Sequence, residues 1–241
     1  MSDVEEELLT GGGLNEVVRV GDTVRRPAGP WAPRVHELLR RLAPLGFTPE
    51  VHGIDSSGRE VLTYLPGEVG HPPLGPGLQG DATLVAYARM MRRLHDASVD
   101  LVGTTGWQFP ARSPAEVVCH GDLAPYNVVF RSGLPVGVID FDTAHPAPRW
   151  WDVAYAVYCL APFSPDFGTP EEQWRRAELF CSEYGCSSDG LVDHALERLA
   201  DMVRTIREDP AFTRQRAERH DEHYLSHVKY IRASRAALAY R

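Results

Sequence analysis

The stretch HGDLAPYNVVF, residues 120–130, constrains this chain most, because it joins a crowded polar loop to a buried strand. Its last three residues are apolar and β-favouring, so they predict a short strand inside the protein. Gly121 and Pro125 mark the turn that precedes this strand. Residues that carry function often lie on loops fixed by a rigid element, so the polar residues of this turn are candidates for a site.

A second short strand, Val136–Ile139, follows the turn at Ser132–Gly133 and ends at Asp140. Hairpin geometry is expected to bring Asp122 and Asn127 of the loop close to Asp140. Carboxylate and amide oxygens are hard ligands, which suit Mg²⁺ better than a transition metal. Asp122 would remain free to accept a proton from an incoming hydroxyl. Together these groups predict a site for phosphoryl transfer.

A metal phosphohydrolase is the competing interpretation of the same residues. It draws on a set of potential ligands: His95, Asp96, His120, Asp122, Asp140 and His145. Its weakness is placement, since half of these residues lie at strands, whereas such sites need ligands that converge from helices.

The loop motifs resemble those of a known family. H-G-D-x-x-x-x-N followed by I-D-F-D resembles the catalytic and metal-binding loops of the aminoglycoside phosphotransferase and choline kinase-like group, relatives of the protein kinases. In family order, Tyr64–Glu68 resembles the hinge between lobes, Leu94–Ala97 the helix before the catalytic loop, and Trp151–Ala154 the W-D segment after the metal loop. The match covers about residues 8–160.

The resemblance implies an α+β, bilobal, protein-kinase-like fold. A small antiparallel β-rich N-terminal lobe, residues 1–66, would bind nucleotide, and a larger, mainly helical lobe, residues 67–241, would carry catalysis and substrate binding. The residue patterns agree with this division. They predict strands near residues 8–10, 17–20, 23–26, 50–54 and 60–64, helices over 33–45 and 84–95, a linker over 66–80, and helices from Trp151 onward.

The resemblance also implies a role for individual residues. Asp122 would be the catalytic base, and Asn127 and Asp140 would hold Mg²⁺, with Asp142 as a further ligand. Asp152 would support the catalytic loop from beneath, and His120 is expected to prop that loop. The cofactor would be ATP or GTP, contacted by a glycine turn, a helix glutamate and the hinge backbone: Gly11, Gly12, Gly13, Glu37, Tyr64 and Leu65.

The chain departs from the family pattern at the lysine that usually holds the nucleotide phosphates on the third strand. Its only lysine, Lys229, lies near the end of the sequence. The third strand offers arginines instead, and we expect Arg25 to take the role, with Arg26 as the alternative, since strand alternation turns the two to opposite faces. Arginine binds phosphate with a different geometry from lysine. A nucleotide-binding pseudokinase is therefore a second hypothesis beside an active kinase.

Composition limits the partners. A net charge of −8 argues against nucleic-acid binding, and no apolar run approaches the roughly 20 residues that span a bilayer. The acidic start MSDVEEELL is unlike a secretory leader, so we expect a cytoplasmic protein, monomeric or homodimeric.

The four cysteines form no C-x-x-C pair and are expected to be free thiols. Residues 67–188 contain 14 acidic and 8 basic residues, which would suit a cationic acceptor or simply a solvated surface. Aminoglycoside-, choline- and sugar-like hydroxyls all remain open as acceptors.

Overall fold

The computed structural model describes residues 6–9 and 16–238, and its N-terminal part is a five-stranded antiparallel sheet in the order β1-β2-β3-β5-β4. The strands are β1 Glu6–Leu9, β2 Val17–Val20, β3 Thr23–Pro27, β4 Val51–Ile54 and β5 Arg59–Thr63. Side chains alternate between the two faces of the sheet, and the face on which Leu62 is buried, with Val24 and Val51 beside it, packs against the core. The strands predicted near residues 17–20, 23–26, 50–54 and 60–64 are found, and β1 covers Glu6–Leu9.

Helix α1, Ala32–Leu42, packs beside this sheet. Pro33 lies in its first turn, where the missing amide costs no hydrogen bond, and a short 3₁₀ turn over Ala43–Leu45 ends the element at Gly46 in the left-handed region. Its buried positions include Val35, Leu38, Leu39 and Leu42, the helical spacing that the sequence shows.

The remaining chain is mainly helical. Its helices are α2 Asp81–Ser98, α3 Trp150–Leu160, α4 Pro170–Tyr184, α5 Leu191–Glu208, α6 Thr213–Ala217, α7 His220–Ala233 and α8 Arg235–Leu238. Helix α3 is buried almost all round, as expected for an apolar helix that others surround. Side chains of α1, α2 and the later helices share one continuous hydrophobic core.

Short strands on either side of α2 position the polar loop. Strands β8 Val128–Arg131 and β9 Leu134–Val138 form the predicted hairpin, and β6 Glu68–Val69 pairs with β8. Strands β7 Val117–Cys119 and β10 His145–Ala147 form a second antiparallel pair. The loop of residues 120–127 therefore lies between two fixed strand pairs. The expected linker over residues 66–80 is in part wrong, because it contains β6.

The α+β fold, with a sheet region followed by a helical region, is confirmed. The lobe boundary after residue 66 stays a prediction. All four cysteines lie within the described residues and are free. Over residues 6–9 and 16–238, no helix has the length and apolar character needed to cross a membrane.

Candidate active site

The loop before β8 holds Asp122 with both of its carboxylate oxygens hydrogen-bonded. The Tyr126 hydroxyl donates to Oδ1 at 2.7 Å, and Nδ2 of Asn127 donates to Oδ2 at 3.0 Å and to the Asp122 carbonyl at 2.9 Å. Burial raises the pKa of Asp122, and the hydrogen bond from Tyr126 opposes that rise. The carboxylate is thus fixed in one orientation, which a proton acceptor requires.

The bend that presents Asp122 depends on Gly121. Its φ is +82°, and a Cβ there would lie 2.3 Å from the carbonyl oxygen of Thr143, so only glycine fits. Asp152 lies beneath the bend: Oδ1 accepts from the Gly121 amide at 2.9 Å and Oδ2 from the His120 amide at 2.7 Å. Helix α3 therefore fixes the loop through one buried carboxylate.

Asp152 is also bonded to α2. Nε2 of His95 lies 3.1 Å from Oδ2 of Asp152, and both side chains are buried. Burial alone would raise the pKa of Asp152, but the hydrogen bond and charge of His95, with the Gly121 amide, lower it to about 2. The carboxylate stays ionised because its partners compensate for the loss of water.

The histidines of the phosphohydrolase hypothesis are engaged elsewhere. Nε2 of His120 lies 2.9 Å from the Ile139 carbonyl, and Nδ1 of His145 lies 2.8 Å from the Thr143 carbonyl. Over the described part of the chain, the potential ligand atoms that converge within 4.8 Å belong to His95, Cys119 and Asp152, beneath the loop. This arrangement does not gather the six residues that the hypothesis needs.

Arg198 of α5 is a contact that the sequence did not indicate. Its Nη2 donates to the Gly121 carbonyl at 2.5 Å, while its guanidinium lies 4.6 Å from the ring centres of both Trp151 and Tyr155. Such stacking stabilises a desolvated cation. Nothing in the local sequence of a long amphipathic helix distinguishes an arginine that turns inward from one that faces solvent.

The candidate metal ligands meet where the hairpin closes. The Ile139 amide donates to the Asn127 carbonyl at 2.9 Å, which joins the end of β9 to the loop. Asp140 then adopts a left-handed backbone, φ 62°, and its charge is near enough to raise the pKa of Asp122. A non-glycine residue in this region is uncommon and marks a constrained position. The expected approach of Asp122, Asn127 and Asp140 is therefore seen.

Arg26, not Arg25, points to these carboxylates. Its Nη1 lies 2.5 Å from Oδ1 of Asp140, and its Nη2 lies 2.6 Å from Oδ1 of Asp142. Arg25 faces away and has its Nη1 3.7 Å from Asp55. The preference for Arg25 is thus wrong by one position, because the inner face of β3 is the face on which Arg26 lies. Burial opposes the charge of Arg26, but Asp140, Asp142 and Glu60 raise its pKa overall.

Glu37 does not take the position expected of the helix glutamate. Its side chain is exposed and pairs with Arg34 one turn earlier in α1. The neighbouring residue His36 faces inward instead, with Nε2 2.7 Å from Oε2 of Glu60. Glu60, on β5, also accepts from Nε of Arg26 at 2.6 Å. The carboxylate partner of the strand cation therefore comes from the sheet.

The hinge residues follow β5, as expected. The Tyr64 amide donates to the Asp22 carbonyl at 2.8 Å, so this amide is engaged within the sheet region. Leu65 approaches the backbone of Gly137, where a Cβ would lie 2.7 Å from its Cδ1. The predicted phosphate turn, Gly11, Gly12 and Gly13, lies outside the described residues.

Comparison with known proteins gives consistent similarities. Residues 107–185 match the profile of the phosphotransferase enzyme family. The trifolitoxin immunity protein of Rhizobium leguminosarum bv. trifolii is 33% identical over 224 residues, covering 83% of this chain and 84% of that protein. Aminoglycoside 3'-phosphotransferase of Escherichia coli is 42% identical over 53 residues, 22% of this chain and 20% of that protein.

The solved structures show the fold. The macrolide 2'-phosphotransferase MphH of Brachybacterium faecium, as apoenzyme, superimposes with a TM-score of 0.63 at 18% identity, over 98% of this chain and 92% of that chain. The GDP complex of wild-type aminoglycoside 2'-phosphotransferase-IIIa gives a TM-score of 0.59 at 14% identity, over 96% of this chain and 93% of that chain.

Proposed function

We propose that the chain transfers the γ-phosphate of ATP or GTP to a hydroxyl of a small molecule. The chain belongs to the phosphotransferase enzyme family and has the fold of its small-molecule kinases. The observation that carries this proposal is the approach of three groups at one end of the β8–β9 hairpin: a fixed carboxylate at Asp122, an amide at Asn127 and a carboxylate at Asp140. Phosphoryl transfer depends on such positioning and on charge stabilisation.

In this proposal Asp122 accepts the proton of the acceptor hydroxyl. Tyr126 already places a hydroxyl 2.7 Å from Oδ1 of Asp122, which is the distance at which an acceptor hydroxyl would bind. Held from the other side by Asn127, the carboxylate orients the acceptor oxygen for attack on phosphorus.

Asn127, Asp140 and Asp142 would hold Mg²⁺, and their donor set fits that ion, since carboxylate and amide oxygens are its preferred ligands. The Asp140 side chain is 48% exposed, so this carboxylate is open to a ligand. Bound magnesium would neutralise charge on the transferring phosphate. Arg26 would contact the nucleotide phosphates, and the backbone at Tyr64 and Leu65 would face the base.

The acceptor is proposed only as a class of hydroxyl compounds: aminoglycoside-, macrolide-, choline- or sugar-like molecules. The name of the similar immunity protein attributes protection against a toxin to that protein. A phosphotransferase could protect a cell in this way by phosphorylating a hydroxyl of the toxin. A hydroxyl-bearing toxin therefore belongs among the candidate acceptors. We further propose a cytoplasmic protein, monomeric or homodimeric.

The test is release of ADP or GDP with Mg-ATP or Mg-GTP over a panel of these acceptors. Acceptor-dependent release supports the proposal, with mass spectrometry of the product to locate the phosphate. If no acceptor stimulates release while the chain still binds Mg-nucleotide, the proposal gives way to a nucleotide-binding protein without turnover.

That second candidate is favoured by one observation, the contacts of Arg26 with both Asp140 and Asp142. In a protein without turnover these contacts would persist when nucleotide binds. The two candidates differ in a simple measurement: both predict thermal stabilisation by nucleotide, and only the kinase predicts a phosphorylated acceptor.

A further inference from the structure

We propose that Glu60 and His36 are positioning residues for the nucleotide site. They hold Arg26 as a fixed cation between the sheet and the proposed magnesium ligands, Asp140 and Asp142. This inference rests on the proposed function and assigns it two residues that the sequence did not indicate. Glu60 would take the place of the helix glutamate, and α1 would contribute a histidine.

The sheet itself pairs Arg26 with Glu60. The two residues lie opposite each other in the antiparallel β3–β5 register, so their side chains share one face. Nε of Arg26 donates to Oε1 of Glu60 at 2.6 Å, and both residues are buried. A charge-assisted contact of this kind, fixed by backbone pairing, leaves the two Nη groups directed at Asp140 and Asp142.

Exposure distinguishes the permanent partner of Arg26 from the exchangeable ones. The Glu60 side chain is 2% exposed, that of Asp142 17% and that of Asp140 48%. Water, metal and phosphate can reach Asp140 but not Glu60. We therefore infer that Arg26 keeps Glu60 when nucleotide binds and exchanges its contacts at the Asp140 side.

Glu60 also balances the buried charge of Arg26. A buried guanidinium without a counter-charge is strongly destabilising. If Asp140 and Asp142 turn to a metal ion, Glu60 still neutralises Arg26. Three carboxylates and one guanidinium leave two negative charges in the cluster, which is the charge that one divalent cation balances.

His36 completes the arrangement from α1. Its Nε2 lies 2.7 Å from Oε2 of Glu60, so both oxygens of this buried carboxylate have a partner. The contact joins α1 to β5 and stops the Glu60 side chain from rotating towards Asp140 and Asp142. In this way the position of α1 sets the direction of Arg26.

The experiment compares Glu60→Gln with the matched control Glu37→Gln, which changes the exposed glutamate next to His36. Calorimetry measures binding of Mg-ATP and Mg-GTP and of the corresponding nucleosides. We expect Glu60→Gln to weaken Mg-nucleotide binding about tenfold, the factor expected for a lost charge-assisted contact, and to leave nucleoside binding within about twofold. Glu37→Gln should leave both unchanged.

Two histidine variants test the same assignment if Glu60→Gln does not fold. His36→Ala should weaken Mg-nucleotide binding by about threefold, and His36→Gln, whose amide can still donate to Glu60, should restore it. Unchanged Mg-nucleotide affinity in Glu60→Gln, or in His36→Ala, overturns the inference, as does an equal loss for the nucleoside, which would indicate a structural role alone. If the wild-type chain binds no Mg-nucleotide, the proposed function itself fails.

Discussion

At the scale of the residue, Asp122 is the group whose loss should separate chemistry from binding. Asp122→Asn keeps the shape of the side chain and its neighbours Tyr126 and Asn127, but it removes the proposed proton acceptor. We expect turnover to fall about 10²–10⁴-fold while Mg-nucleotide affinity stays within a few-fold. Steady-state release of ADP with an acceptor from the panel measures turnover, and calorimetry measures Mg-nucleotide affinity. Near-normal turnover would show that another group accepts the proton.

Arg26 is the residue at which nucleotide affinity should be lost. Arg26→Ala removes charge-assisted contacts worth about 1.5–3 kcal/mol each, so Mg-ATP binding should weaken about 10–100-fold with adenosine binding unchanged. The same substitution leaves Glu60 buried without its cation, so the variant will also unfold at a lower temperature. Arg25→Ala is the control, since Arg25 pairs with Asp55 of the turn between β4 and β5 and not with Asp140 or Asp142. A larger effect from Arg25→Ala would contradict the assignment.

At the scale of the element, helix α3 supports the loop of residues 120–127 through Asp152. The pKa of Asp152 is lowered to about 2 from 3.8, so its ionised form stabilises the folded state above about pH 4 and loses this contribution as pH falls towards 2. Asp152→Asn should lower the free energy of unfolding at pH 7 by about 2 kcal/mol, measured by urea denaturation, and the difference from wild type should shrink below pH 4.

The neighbouring carboxylate Asp96 provides the control for this prediction. It follows His95 in α2 but is half exposed and pairs with Arg92 and Arg149 at the surface. Asp96→Asn should cost about 0–1 kcal/mol, as exposed ion pairs do. Equal losses for the two variants would show that the stabilisation by Asp152 does not come from its buried contacts.

Some elements and site residues could be predicted from local sequence patterns, and others could not. Periodicity located α1, α2 and the β8–β9 hairpin, because amphipathic spacing and turn residues are local signals. It missed β6, β7 and β10, which are short and formed by distant pairing. Motif spacing placed Asp122, Asn127 and Asp140 together, since a hairpin fixes their separation. It could not find Glu60 or Arg198, whose roles depend on which face of a strand or helix turns inward.

The choice between Arg25 and Arg26 shows most directly where prediction from the sequence went wrong. Both residues lie in β3, and a shift of one position moves a side chain to the other face of the sheet. Because side chains alternate along a strand, Arg26 lies on the same face as Val24, which packs against the core, and the pairing of β3 with β5 places Glu60 beside it. The error is therefore in which face of β3 turns inward, not in the chemistry, since an arginine of β3 does meet the carboxylates.

At the scale of the whole molecule, the proposed site draws on both parts of the fold: Arg26 from the sheet, and Asn127 and Asp140 from the hairpin beyond α2. A ligand that contacts both parts binds only the folded chain and should stabilise it as a unit. At a hundred times its Kd, Mg-nucleotide would add about 2.7 kcal/mol, which for a chain of this size raises Tm by about 5–10 °C.

Differential scanning fluorimetry with Mg-ATP, Mg-GTP, nucleotide with chelator and nucleoside alone measures this shift. Asp140→Ala should abolish most of it, because the residue would join metal to phosphate, and omission of Mg²⁺ from the wild type should have the same effect. A full shift without Mg²⁺ would mean that Arg26 and the sheet alone bind the phosphates. In that case Asp140 would serve as the counter-charge of Arg26, and the metal-dependent kinase mechanism would lose its basis in this chain.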